Sequence, residues 1–223
     1  MSPIQLIDTA QIPGGGELTL MQCGSDFSIW FGEDELMGNL EVGSEQALAT
    51  LAVARLDRPA DRILVGGLGM GFTLGPALAT FPKWTRIVVS ELVPEVVTWA
   101  NGHLAHLFSD YLSDARVLVE IRDVHDVIAE ATDGFDAILL DVDNGPDGFI
   151  HPANDRLYCD WGLRDAYAAL RPGGVMAIWS AYQDDAFVER LENSGFSVEE
   201  VTVPAGGATT RPPFTIWLAS KLK

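Results

Sequence analysis

The sequence predicts a doubly wound α/β fold: a mostly parallel sheet with helices on both faces, carrying a small N-terminal β flap. Two observations lead there. From residue 62 onward, short apolar stretches alternate with amphipathic ones, and the apolar stretches lack the in–out pattern of a half-solvated strand. Strands buried on both faces and separated by helices build parallel sheets. Residues 1–43, by contrast, read as short strands with no helix between them. The chain of 223 residues is long enough for one sizeable core with an appendage, and short for two full domains. The expected division is a flap over 1–43 and an α/β domain over 44–223.

In the flap, ELTLMQ (17–22) and FSIWFG (27–32) are rich in β-formers, and CGSD between them supplies turn residues, which predicts a hairpin. SEQALATLAVARL (44–56) reads as a helix with Ser44 at its N-cap and apolar residues at Ala47, Leu48, Leu51, Ala52 and Leu56. RILVGG (62–67) is the first apolar strand, followed by a helix over 72–81. RIVVSEL (86–92) is next, then a helix over 94–104 with Pro94 in its first turn, where its missing N–H costs nothing. ARVLVEI (115–121), a short helix over 124–131 and the strand FDAILLDV (135–142) follow. A helix over 159–170, the turn RPGG (171–174), the strand VMAIWS (175–180) and a helix over 184–195 complete the alternation. FSVEEVTV (196–203) and FTIWLAS (214–220) have no helix between them, so they are expected to pair antiparallel at one side of the sheet.

Composition narrows the function. Lys and Arg total 14 against 32 Asp and Glu, a formal charge of −18 at pH 7. Nucleic-acid binding requires a basic surface, and anionic membranes repel such a chain, so neither partner is expected. The acidity suits a cationic small molecule such as an amine, as well as solubility. No apolar run approaches the length needed to cross a bilayer. The start MSPIQLIDTA has neither a basic end nor an apolar stretch, and Cys23 and Cys159 form no CxxC pair, so a reducing, cytoplasmic setting is expected.

The strongest local signal is VGGLGMGF (65–72), which leaves a strand and enters a helix. Glycines let the backbone approach a ligand, and a helix start offers free N–H groups. Gly66, Gly67, Gly69 and Gly71 are the candidates there. Phe72 stands where the dinucleotide fingerprint GxGxxG needs a small residue, and the GK[ST] ending of a phosphate loop is absent. Glu91 ends the next strand, where a carboxylate can accept from both ribose hydroxyls, with Leu92 beside it. Asp123 follows the third strand and suits either an adenine amino group or a helix cap, and Val124 suits the adenine ring. Asp141 closes the fourth strand. All of these fall at carboxyl ends of strands, where open α/β sheets bind ligands.

The order of these pieces resembles the class I S-adenosylmethionine (SAM)-dependent methyltransferase fold over about residues 60–223. That resemblance implies a seven-stranded sheet with one reversed edge strand, and SAM or decarboxylated SAM as cofactor. Nearly the whole chain also resembles the spermidine synthase family of aminopropyltransferases. The segments that carry this are LMGNLEVGSEQALATLA (36–52), the glycine loop, FDAILLDVDNGPDGF (135–149) and LYCDWGLRDAYAALRPGGV (157–175). The resemblance implies a homodimer and a gate loop after the fourth strand, with one carboxylate near the cofactor and a second accepting the amine proton. Asp141 matches the first. Asn144 falls where the second belongs, and of the family's Tyr-His-Glu segment only Glu45 is kept.

SAM activates two transfers: attack at its methyl group or at its aminopropyl chain. Because the polyamine residues are mostly replaced, methyl transfer to a small molecule is the first expectation. Aminopropyl transfer from decarboxylated SAM is the alternative, and a non-catalytic nucleotide-binding module is the third. The connection 142–156 supplies Asp143 as first and His151 as second candidate for proton transfer, beside Asp141. Trp30, Glu45, Tyr158 and Trp161 are candidates for the acceptor pocket, and no metal site is expected.

Overall fold

The computed structural model describes residues 3–39, 44–108, 110–142, 145–146, 155–204 and 212–223. At the N-terminus, four strands form one antiparallel sheet in the order β1 (Ile4–Gln11), β2 (Glu17–Cys23), β3 (Asp26–Phe31), β4 (Asp34–Gly38). The expected hairpin is its centre, β2 with β3, joined by a turn in which Gly24 takes φ +66°. The outer strands escaped the sequence reading because their exposed residues dilute the pattern: β1 buries only Ala10 fully. On the inner face, Leu18, Leu20, Phe27 and Ile29 are buried. The sheet is tied to the main domain by the Trp99 indole, which donates to Asp8 Oδ2 at 2.8 Å.

The main domain begins with α1 (Ser44–Arg55) and β5 (Arg62–Gly66), then α2 (Leu74–Thr80) and β6 (Arg86–Glu91). Next come α3 (Pro94–Asn101), α4 (Ala105–Phe108), β7 (Val117–Ile121), α5 (Val124–Ala129) and β8 (Phe135–Leu140). The chain ends with α6 (Asp155–Tyr158), α7 (Asp160–Ala169), β9 (Leu170–Ser180), α8 (Asp185–Asn193), β10 (Ser197–Val203) and β11 (Phe214–Ser220). The seven strands lie in the order β10-β11-β9-β8-β5-β6-β7. Only β11 runs against its neighbours. It sits between β9 and β10 rather than at the edge, so the reversed strand is one place further in than the resemblance implied.

Strand alternation explains the two cores. Ile63, Val65, Ile87, Val89, Ala137 and Leu139 face α1, α2, α3 and the N-terminal sheet. Leu64, Val88, Ile138, Leu140, Met176 and Ile178 face the side of α5, α7 and α8. Each apolar strand therefore supplies both faces, as its unbroken hydrophobicity required.

Among the boundaries that differ from the sequence reading, three have a clear local reason. The helix expected over 94–104 stops at Asn101, where Gly102 bonds back to the Trp99 carbonyl and α4 restarts the chain. The helix expected from residue 72 starts at Leu74, since Phe72 and Thr73 still belong to the glycine loop. The RPGG turn is absorbed into β9, with an irregular register against β8 between Phe135 and Ala137.

At the far end of the sheet from the glycine loop, Asp136 is 2% exposed and anchors the entry to β5. It accepts from the backbone N–H groups of Asp61 at 2.7 Å and Arg62 at 3.0 Å. It also pairs with Arg58 and with Arg171, the latter at 3.0 Å. Desolvation pushes its carboxyl up, but those N–H groups and the two guanidiniums outweigh it and hold the group below its ordinary value.

Candidate functional site

Strand order reverses between β5 and β8, and the crevice opens there at the carboxyl ends. The glycine loop leaves β5 at this point. Gly67 takes φ +87°, and a Cβ there would lie 2.8 Å from the Asp141 carbonyl oxygen, so the two strand ends touch through a residue without a side chain. The Gly67 N–H donates to Ser90 O and the Asp141 N–H to Gly66 O, fixing all three strand ends against one another. Gly69, at φ +48°, has the Met37 Sδ and Cε where a Cβ would stand. Gly66 and Gly71 serve packing: a Cβ would meet Leu140 and Val124 in the first case and the Phe108 ring in the second.

Glu91 is 7% exposed at the end of β6. Its Oε2 accepts from Leu68 N and its Oε1 from Val93 N, each at 2.9 Å. Burial raises this carboxyl above its ordinary value, and the backbone N–H groups of Val93, Leu68, Gly69 and Leu92 oppose that rise only in part. The two oxygens carry about four lone-pair sites, and the hydrogen bonds from Leu68 and Val93 occupy two of them, which leaves room for ligand hydroxyls.

Asp123 caps α5, with Oδ1 accepting from His125 N at 2.9 Å, while Oδ2 pairs with Arg156 of α6. Asp141 Oδ2 accepts from the Thr73 hydroxyl at 2.7 Å, which couples the end of β8 to the start of α2.

Two adjoining chambers occupy the crevice. The larger, about 140 Å³, lies between Glu91, Leu92, Asp123 and Val124 on one side and Ile12, Leu18 and Ile29 of the N-terminal sheet on the other. The smaller, about 60 Å³, is walled by Leu68, Met70, Phe72 and Trp179. Leu36, Met37, Gly67, Gly69 and Asp141 border both. Met37, brought in by β4, therefore sits at the boundary against the glycine loop.

The larger chamber gathers Gly67, Gly69, Glu91, Leu92, Asp123, Val124 and Asp141. These residues fit an adenosyl group: a buried carboxylate, apolar Val124 and Leu92 for a flat ring, and a backbone cradle without side chains. Three of the proposed acceptor residues, Trp30, Tyr158 and Trp161, line neither chamber. Trp30 alternates with Ile29 on β3, so Ile29 meets the cleft while the Trp30 indole donates to Ser28 Oγ at 2.7 Å. Tyr158 is buried edge-on against Phe187 in the opposite core, with its hydroxyl 3.5 Å from the Val142 carbonyl. Trp161 is 49% exposed on α7, edge-on to His125, and lines neither chamber. Helical spacing aimed Tyr158 at the opposite core and left Trp161 on the surface, neither at the cleft. Asp143 and His151 lie outside the described residues, as do Asn144, Asp147 and the side chain of Glu45.

Leu36, Met37, Thr73, Arg122, Arg156 and Trp179 were not anticipated. Trp179 had a usable signal, because it lies near the carboxyl end of a core strand, like the acidic residues. Met37 and Arg156 had none, since they reach the site only through tertiary packing. Among the described residues, no cluster of His, Cys, Asp and Glu could hold a metal, and no helix is long and apolar enough to cross a membrane.

These elements define a class I methyltransferase-type α/β fold to which a four-stranded N-terminal sheet has been added. No protein-family model and no curated protein matches the chain. Solved structures do. The spermidine synthase from Thermotoga maritima is similar with a TM-score of 0.76 and 15% identity, over 97% of this chain and 72% of its own. A spermidine synthase in complex with the transition-state analogue AdoDATO gives 0.79 and 16%, over 97% and 74%. A probable spermidine synthase from Corynebacterium glutamicum ATCC 13032 gives 0.66 and 17%, over 97% and 80%. The likeness is one of fold: the chain is spermidine synthase-like in architecture, N-terminal sheet included.

Proposed function

We propose that this chain is a transferase that binds decarboxylated SAM and moves its aminopropyl group to a small amine. The observation that carries the reading is the roof of the cleft. Leu36 and Met37 of the added sheet close over the glycine loop, and the likeness to spermidine synthases spans 97% of the chain, so it includes that roof. The methyl-transfer expectation placed first on sequence grounds is not supported by this likeness, and the aminopropyl alternative fits better.

Charge points the same way. Among the described residues, Glu91, Asp123 and Asp141 line the larger chamber, with Arg122 as its one basic residue, and Asp141 is the sole charged group around the smaller. Decarboxylated SAM carries a sulfonium and an ammonium but no carboxylate, which suits an acidic site. Glu91 would accept from the ribose hydroxyls, Val124 and Leu92 would hold the adenine ring, and the bare backbone of Gly67 and Gly69 would admit the sulfur. Bound there, the cofactor would supply the electrophile: its C–S bond breaks as the amine nitrogen bonds to carbon, leaving methylthioadenosine.

The protein's share is to place the amine and take its proton. Asp141 is positioned by Thr73 beside the glycine loop, and it would hold the ammonium end of the substrates. Proton acceptance falls to Asp143 in this reading, with His151 second.

Calorimetric titration with decarboxylated SAM and with SAM tests the cofactor. Tighter binding of the decarboxylated form is expected. A preference for SAM of tenfold or more would sink the proposal.

A further inference from the structure

The roof over the larger chamber is held from outside it. Ile12, Leu18 and Ile29 reach the chamber from the N-terminal sheet, and Val96 of α3 faces them together with Leu92 and Val93, which precede that helix. Trp99 lies one helical turn beyond Val96 on the same face of α3. It is 1% exposed, and its carbonyl oxygen accepts from the N–H groups of Gly102 at 3.0 Å and Leu104 at 2.8 Å, so the helix end fixes its backbone. Its indole N–H donates to Asp8 Oδ2 of β1 at 2.8 Å. Neither Asp8 nor Trp99 borders a chamber.

The backbone of β1 is adapted to this bond. Leu6 pairs with Met21 and Asp8 with Leu20, so Ile7 is an extra residue, a β-bulge. In an unbroken strand Leu6 and Asp8 would share a face. The bulge leaves Leu6 on the outer face, 58% exposed, and turns Asp8 to the inner face, that of Leu20. The Trp99 indole first, and then the Thr9 N–H at 2.9 Å, hold the Asp8 carboxyl below its ordinary value. The bond is therefore charge-assisted at neutral pH. Ile12 follows four residues later, in the turn to β2, where its N–H donates to Gly16 O at 3.0 Å. One short stretch of chain thus carries the clamp at Asp8 and part of the roof at Ile12.

We infer that Asp8 is a positioning residue for the larger chamber: its bond to Trp99 keeps the N-terminal sheet lowered over the nucleoside, so affinity depends on a carboxylate that does not touch the ligand. The inference rests on the adenosyl assignment proposed above. With the bond made, Ile12, Leu18 and Ile29 hold an adenosyl group against Leu92 and Val124. Without it this end of the sheet can lift, and only the fraction of molecules with the roof lowered binds tightly.

Calorimetric titration with methylthioadenosine of four variants tests the clamp. Asp8→Ala and Trp99→Phe each remove the bond and are expected to weaken binding about tenfold, in line with one charge-assisted hydrogen bond. Asp8→Asn keeps an acceptor oxygen for the indole and should stay within about threefold of wild type. Because the two residues act through one bond, the double variant Asp8→Ala/Trp99→Phe should be no weaker than the weaker single variant. A purely structural role would lower Tm and leave these affinities alone. Unchanged affinity in Asp8→Ala, or losses that multiply in the double variant, would overturn the inference.

Amide exchange in the ligand-free protein reads the roof without a nucleoside. The Leu68 and Val93 N–H groups, which bond to Glu91 at the chamber, should exchange about tenfold faster in Asp8→Ala and close to the wild-type rate in Asp8→Asn. If wild-type protein binds no methylthioadenosine, the adenosyl assignment fails. Even then, faster exchange in Asp8→Ala supports the clamp, and unchanged exchange refutes it.

Discussion

Glu91→Gln separates charge from shape at the residue on which cofactor binding depends most. The glutamine keeps one acceptor oxygen for one of the two backbone amides, at Leu68 or Val93, while the ligand loses a charged acceptor. A hydrogen bond to a charged group contributes about 1.5–3 kcal/mol, against about 0.5–1.5 for a neutral pair. With two ribose hydroxyls the loss comes to about 2–3 kcal/mol, or about 30–150-fold in Kd. Stability should change far less than binding. Burial raises the Glu91 carboxyl above its ordinary 4.5, so the folded state holds that proton more tightly than the unfolded chain. The ionised carboxylate is therefore a cost above the folded pKa, a cost that fades as pH falls towards 4.5. At pH 7 the relief of that cost is opposed by the loss of one of the two bonds from Leu68 and Val93, so the variant should melt close to the wild-type temperature. Calorimetry with methylthioadenosine and a thermal melt read both quantities. An unchanged Kd, or a weaker Kd with a matching loss of Tm, would refute the assignment of Glu91 to the ribose.

Two further perturbations probe the frame around the site. Asp136→Ala strips a 2% exposed carboxylate from two backbone amides and two arginines, and should cost about 3–5 kcal/mol in urea denaturation. Because its carboxyl sits below the ordinary 3.8, the wild type should lose this contribution only as pH falls below about 4, and the variant should show a flatter acid profile. Gly67→Ala places a Cβ 2.8 Å from the Asp141 carbonyl oxygen at φ +87°, and should lower stability by about 1–3 kcal/mol while displacing Asp141 enough to weaken methylthioadenosine binding. Comparing its melt and its titration with wild type checks both effects.

What the sequence revealed followed from strong local signals. Val65, Val89 and Leu139 sit in unbroken apolar runs, so the core strands and their helices could be read directly. Glu91 and Asp141 were found because the ends of such strands are fixed once the strands are known. The outer strands β1 and β4 were missed because edge strands need no apolar pattern. Trp161 and Tyr158 were read as pocket walls on chemistry alone, but the direction of a side chain on α6 or α7 is set by which face packs on the sheet. Met37 and Trp179 define the division of the cleft, and that division arises only where β4 folds over the glycine loop. No local window contains both partners.

The aminopropyl account meets its most direct test in the identity of the nucleoside product. Purified protein with decarboxylated SAM and an amine mixture, and in parallel with SAM and the same mixture, can be followed by mass spectrometry. The account predicts methylthioadenosine and an amine heavier by one aminopropyl group in the first reaction, and no product in the second. S-adenosylhomocysteine and a methylated amine from the second reaction, with the first inert, would contradict it.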